Sequence, residues 1–257
     1  MTTAKRTATL LKVAATSVPR RRLICVPFAG GGAGAFRWWR RSLPADTELM
    51  VVELPGREAR LREPPFDAIP DIVAAIAPAI LGHTELPYAL FGHSMGALVA
   101  YELTLALEAA GVQPPSRLFV SARRAPDEAD LDPPINHLSD VKFLDELQRR
   151  YDAVPEAVRQ EPDLLALLLP ALRADIRALE RYSPSSARQV QCPIVVYGGT
   201  EDRHPTPAQL PGWQRVAAEP VRVRLFSGGH FYLSSHVADL TADIVDSWQD
   251  AACVERT

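Results

Sequence analysis

Short runs of apolar and β-branched residues alternate along this chain with longer stretches whose apolar positions recur every three to four residues. The runs LICVPF (23–28), LMVVEL (49–54), YALFGH (88–93), RLFVSA (117–122), PIVVYG (193–198) and VRVRLF (221–226) read as strands. Between them the periodicity predicts helices at about 67–81, 95–110, 207–218 and 236–251. Strands alternating with helices predict an α/β fold with a mostly parallel central sheet flanked by helices. The rhythm breaks once, from Arg123 to Gln191, where an acidic, proline-broken loop leads into two or three helices. The strongest, DLLALLLPALRADIRALERY (163–182), carries Pro170, which should kink or divide it. About seventy residues is long for a connection between parallel strands, and points either to a lid or to a crossover with extra packing helices.

The 257 residues suit a substantial core, with 47% hydrophobic content. Residues 1–21 mix basic and apolar positions without the apolar block of a leader and read as a flexible tail, leaving 22–257 as one domain. Nowhere do the roughly 18 apolar residues of a membrane span occur together. Cys25, Cys192 and Cys253 lie far apart, without metal-ligand spacing, and read as reduced thiols of a cytoplasmic protein. Net charge is −3, unevenly spread: residues 1–62 hold 12 Lys and Arg against 4 Asp and Glu, and the remainder 16 against 27. A chain acidic overall is not built for nucleic acid. The basic third could face an acidic protein partner, through arginines at 20–22, 37, 40, 41, 57, 60 and 62, or be ordinary solvated surface.

Candidate chemistry sits at Gly92-His93-Ser94-Met95-Gly96, between a predicted strand and a predicted helix. A serine on such a turn is strained and exposed, and the residues two before and two after it must be small. Its hydroxyl needs a base and a group to orient that base. Asp202, after PIVVYGGTE, and His230, after VRVRLFSGG, lie just past strand ends, in the order Ser, acid, His. Asp127 is the rival acid, following the strand at 117–122. His93 should pack beside the turn. Backbone N–H groups of Ala29, in the cluster AGGGAG, and of Met95 are the candidate oxyanion donors. The same glycines admit a competing reading: Gly30-x-Gly32-x-x-Ala35, with Glu53 downstream, matches a dinucleotide fingerprint and would imply an NAD-dependent oxidoreductase. That reading gives Ser94, Asp202 and His230 no joint task.

The series CVPFAGGGAGAF, ELPGRE, FGHSMGALVAYE, GGTEDRHP and SGGHFYL resembles the type II thioesterases that accompany polyketide and nonribosomal peptide synthetases, over residues 22–248. The resemblance implies an α/β-hydrolase fold with a helical lid between the sixth and seventh strands, here at about 124–188. It implies Ser94 as nucleophile, Asp202 as acid, His230 as base, and Ala29 and Met95 as oxyanion donors. It further implies an enzyme that removes acyl groups from the phosphopantetheine arm of acyl or peptidyl carrier proteins. The chain is expected to be a monomer with no cofactor or metal of its own. Phe28 departs from the pattern, because many relatives carry histidine there. On the residues alone, a general carboxylesterase, a medium-chain fatty acyl-carrier thioesterase and a carrier-binding protein without activity stay open. Leu164, Leu165, Leu168, Leu172 and Ile176 would line an acyl chamber or the core of the lid.

Overall fold

The computed structural model describes residues 8–254 apart from 14–16, 131 and 155. Seven strands form one sheet in the order β1-β3-β2-β4-β5-β6-β7. They are β1 (Thr9–Val13), β2 (Arg21–Val26), β3 (Thr47–Glu53), β4 (Tyr88–His93), β5 (Arg117–Ser121), β6 (Ile194–Gly199) and β7 (Arg222–Phe226). All neighbours pair in parallel except β1, which runs antiparallel to β3. The six expected strands are therefore present within about two residues of their expected bounds.

β1 corrects the expectation of a flexible tail. Thr9–Val13 pairs with Glu53–Leu49, and the amide of Ala8 donates to Ala75 O at 3.2 Å. Its burial pattern, mostly exposed, follows from lying at the sheet edge. Of the rest of the expected tail, residues 1–7 and 14–16 lie outside the described residues.

Alternation along each strand divides the core in two. Ile24, Val26, Met50, Val52, Leu90, Val120 and Val196 face α1 (Ile69–Leu81) and α2 (Met95–Ala109). Leu23, Cys25, Val51, Phe91, Phe119 and Tyr197 face the 3₁₀ segment Ala33–Arg41 and α6 (Val237–Val254). On that second face Phe36, Trp39 and Phe91 meet edge to face with centroids 4.8–6.0 Å apart, which orients the aromatic packing as well as burying area. Both faces covered is what nearly continuous apolar strands require.

The segment expected as a helix at 207–218 is a 3₁₀ run, Pro207–Val216. Pro211, inside the segment, removes an N–H that an α-helix interior would use, whereas Pro207 sits at its first position, where proline is tolerated. The insertion folds as α3 (Asp140–Tyr151), α4 (Glu156–Arg159) and α5 (Pro162–Glu180). It falls between β5 and β6, one strand earlier than the resemblance implies, because only five strands of this sheet precede it. Pro170 does not divide α5. It separates a half with exposed Leu164 and Leu167 from a half that is buried through Ala171, Ala174 and Ile176. Arg173 anchors the buried half, donating to Asp140 and to the carbonyls of Asn136 and Leu138. Among the described residues no helix is long and apolar enough to cross a membrane.

Candidate active site

Ser94 stands between β4 and α2 with φ +53° and ψ −114°, a conformation that costs on the order of 1–3 kcal/mol for a residue with a side chain. The turn closes only because its flanks lack Cβ atoms. A Cβ on Gly92 would lie 2.0 Å from Gly96 O, and one on Gly96 would lie 2.1 Å from Val26 O. The strain is held by the Ser94 amide, which donates to Ser121 O on the neighbouring strand at 2.8 Å.

Asp202 and His230 reach the same place from β6 and β7. The loops after these strands are joined by Thr200 N–H to Phe226 O at 2.8 Å and Glu201 N–H to Gly228 O at 2.9 Å. His230 Nδ1 then bonds Asp202 Oδ2 at 2.9 Å, with both residues buried, while Asp202 Oδ1 accepts the His204 amide at 3.0 Å. Both carboxylate oxygens are thus fixed, and Nε2 of His230 is the ring nitrogen left for the serine. Glu201, adjacent to the acid, is exposed. Asp127, the rival acid, is engaged elsewhere: Arg215 holds it through two bonds of 2.7 and 3.0 Å, which lower its pKa.

Ser94, His230 and Ala29 line one small cavity with Phe28, Tyr151 and Phe231. No Ser94–His230 hydrogen bond is formed among the described residues, and such bonds commonly tighten only when substrate arrives. Met95 is the first residue of α2, so its amide belongs to the group a helix cannot satisfy internally and lies at the positive end of the helix, next to the serine in the chain. Tyr151, the last residue of α3, lies 4.8 Å from the His230 ring, so the insertion covers the imidazole directly.

His93 packs beside the turn, as expected. It is fully buried; its Nδ1 bonds Ser121 Oγ at 2.8 Å, and that oxygen meets Tyr232 OH at 2.6 Å. Burial, and then the neighbouring His230, hold the His93 imidazole well below the usual histidine range. The folded state keeps this ring neutral where the unfolded chain would protonate it, so stability is undiminished above about pH 6.5 and falls as pH drops below that value. Between pH 7 and 5, urea unfolding of the wild type should lose up to about 1.4 kcal/mol per pH unit more than that of His93→Gln. Parallel pH slopes would refute this origin. Phe28, the departure from the family pattern, sets its ring edge-on to His93 and Phe231, with centroids 5.7 and 5.0 Å away, and makes that wall of the cavity apolar.

The glycine cluster after β2 is held by carboxylates. Asp175 Oδ2 accepts the Gly30 amide at 2.7 Å, and Glu58 accepts those of Ala33 and Gly34, both at 2.9 Å. A dinucleotide fingerprint needs such amides for pyrophosphate, and two carboxylates in their place repel it. The Ala33–Arg41 segment is also 3₁₀, without the long α-helix dipole of that motif. The oxidoreductase reading is therefore set aside.

Sequence reasoning missed what holds Asp175. Arg57 grips it bidentately at 2.8 and 3.0 Å and also donates to Gly31 O at 3.1 Å, with both side chains buried. One ion pair thus joins the loop of the Ala29 amide, the loop after β3 and α5. The only signals were that Arg57 and Glu58 lie within ELPGRE, and that Asp175 breaks the apolar face of α5.

Of the expected apolar stripe, Leu165, Leu168 and Leu172 line a cavity of about 150 Å³ with Phe28 and Phe231, next to the serine. Ile176 joins the core of the insertion, and Leu164 is exposed. The stripe thus divides between the wall of a cavity and the core of the insertion. Of the arginines considered for docking, Arg22 is taken by Glu48 and Glu85, Arg57 by Asp175, Arg60 by Glu63, and Arg40 by the carbonyls of Leu43, Pro44 and Thr47. Arg37 and Arg41 instead flank the half-exposed ring of Trp38, at 4.7 and 4.4 Å. Among the described residues no group of three or more His, Cys, Asp and Glu is placed to hold a metal ion.

A serine on a strained strand-to-helix turn, with an Asp–His pair delivered by later strands of a parallel sheet, defines an α/β-hydrolase fold. The chain belongs to the thioesterase domain family, whose model matches residues 21–248. It is 36% identical over 217 residues to the gramicidin S biosynthesis protein GrsT of Aneurinibacillus migulanus, covering 84% of each chain. It is 37% identical over 229 residues to the thioesterase PikA5 of Streptomyces venezuelae, covering 88% of this chain and 80% of that one. The type II thioesterase BorB from the borrelidin biosynthetic cluster superposes with a TM-score of 0.85 at 32% identity, over 93% of this chain and 97% of its own.

Proposed function

We propose that this chain is a serine thioesterase that hydrolyses acyl groups from the phosphopantetheine arm of acyl or peptidyl carrier domains, clearing stalled or aberrant chains from a polyketide or nonribosomal peptide synthase. The observation that carries the reading is the meeting of Ser94 with the Asp202–His230 pair beneath a helical insertion that holds an apolar cavity beside them. Relatives named for gramicidin S biosynthesis and as thioesterases support the setting.

Ser94 attacks the thioester carbonyl while His230 Nε2 takes its proton, and Asp202 holds the imidazole and offsets its positive charge. The oxyanion rests on the amides of Ala29 and Met95. As the tetrahedral intermediate collapses the C–S bond breaks and the pantetheine sulfur leaves as the thiol, taking the proton back from His230; a thiol of pKa near 8 to 9 needs less proton donation than an amine or alcohol. Water, activated by His230, then releases the acid. The insertion at about 124–188 acts as a lid over the cavity, admitting the arm while the carrier stays outside.

The test compares one acyl group on a carrier protein, on free pantetheine and as a matched oxygen ester. The carrier-bound thioester is expected to show the highest kcat/KM and the oxygen ester the lowest. Charge reversal at Arg37 and Arg41 together is expected to raise KM for the carrier-bound form several-fold, leaving the pantetheine form as it was. Faster turnover of the oxygen ester would favour a general esterase, and equal effects of the reversal on both thioesters would place docking elsewhere.

A further inference from the structure

Arg123, two residues beyond the end of β5, carries a buried guanidinium with no carboxylate paired to it among the described residues. Ser121 pairs with His93 in the sheet and accepts the Ser94 amide, so Arg123 leaves the sheet beside the nucleophile turn. The residue is 8% exposed, its Nε is buried without a partner, and among the described residues no carboxylate lies within ion-pair distance of it. Its neighbours differ. Arg124, equally buried, pairs with Asp130 at 2.7 Å, and Arg150 is bonded to Glu146 and to Pro133 O.

The Arg123 side chain lines a cavity of about 340 Å³, walled on one side by Tyr151, Ile176 and Leu179. The same three residues line the cavity of Ser94 and His230, so the two spaces share a wall. Three acids border the larger one, and each is occupied: Asp130 by Arg124, Asp132 by His204 at 2.9 Å, and Glu180 by the amides of Ile135 and Asn136. Among the charged groups that line this chamber, Arg123 is the one whose side chain has neither a hydrogen-bond nor an ion-pair partner among the described residues. A guanidinium cannot escape the cost of burial by losing its proton, as a buried lysine could.

We propose that Arg123 forms an anion subsite for the acyl group, and that the chamber beyond Tyr151 accepts acyl chains ending in a carboxylate, which the guanidinium binds through two parallel N–H···O bonds. The proposal rests on the thioesterase reading above. The phosphate of the pantetheine arm does not fit the role, since the whole length of pantetheine separates it from the thioester at Ser94, whereas the Arg123 chamber shares a wall with the cavity of that serine.

The experiment uses malonyl, succinyl, glutaryl and adipyl pantetheine thioesters, each against its terminal methyl ester. At one chain length the wild type is expected to favour the free acid over the ester by about tenfold or more in kcat/KM, because only the acid answers the buried charge. That ratio should fall about tenfold in Arg123→Met and take an intermediate value in Arg123→Lys, which keeps the charge but loses the fork. A wild-type ratio of one or below at every length, or an unchanged ratio in Arg123→Met, would overturn the proposal. Calorimetric binding of the same pairs to Ser94→Ala decides the matter without an Arg123 variant. Tighter binding of the acid supports the subsite, and equal affinities overturn it. Absence of turnover for every thioester, neutral butyryl included, would count against the thioesterase reading, with the calorimetry still deciding the subsite.

Discussion

Replacing Ser94 by alanine is expected to lower kcat for acyl-pantetheine hydrolysis by about 10⁴- to 10⁶-fold while leaving a folded protein. The size follows from the chemistry: without Oγ no acyl-enzyme forms, and the Asp202–His230 pair and the amides of Ala29 and Met95 have only water to act on. The fold survives because the features that close the turn are backbone features: the approach of Gly92 to Gly96 and the Ser94 amide bond to Ser121 O. Steady-state kinetics with thermal unfolding as the control measures both. Turnover within tenfold of the wild type would remove Ser94 from its assigned role.

The second large effect is expected at Asp175, a residue outside the proposed triad. Asp175→Ala leaves the Arg57 guanidinium buried without its partner and frees the Gly30 amide, beside the proposed donor Ala29. Breaking a buried pair from one side costs about 3–5 kcal/mol. Misplacing one oxyanion donor costs about 10²- to 10³-fold in kcat. Urea unfolding should report the first, and kcat at saturating acyl-pantetheine the second. The double variant Arg57→Met, Asp175→Leu separates them: removing both charges should recover most of the stability, since an apolar pair of similar bulk is often neutral. It should not recover kcat, because the loop of Ala29 has lost its carboxylate anchor. Wild-type kcat in Asp175→Ala would show that the loop keeps its position without the pair.

The parts legible in the sequence were those whose causes are local. YALFGH is a strand over the residues its pattern indicates, because both faces of β4 are buried and its apolar run is unbroken. The elbow was legible because its steric demand falls on Gly92 and Gly96, within two residues of the serine. The pairing of Asp202 with His230 was legible because both lie just past the ends of neighbouring strands of an open parallel sheet. What escaped depended on distant partners. β1 is a mostly exposed edge strand whose reason to be extended is β3. Arg57 and Asp175 are 118 positions apart, and nothing in either segment names the other. Arg40, an attractive surface charge in sequence, is spent on three carbonyls of the turn that follows it. Arg123 resembles any charged residue after a strand until the partners of the acids around it are accounted for.

The most direct measurement is a single-turnover reaction of the enzyme with acyl-carrier protein, quenched in acid at millisecond intervals and examined by peptide mass spectrometry. The expected result is a mass gain of one acyl group on the peptide that contains Ser94, rising before free acid appears and absent from Ser94→Ala. Acylation of a different residue, or release of acid by Ser94→Ala at the wild-type rate, would contradict a serine thioesterase built on this turn.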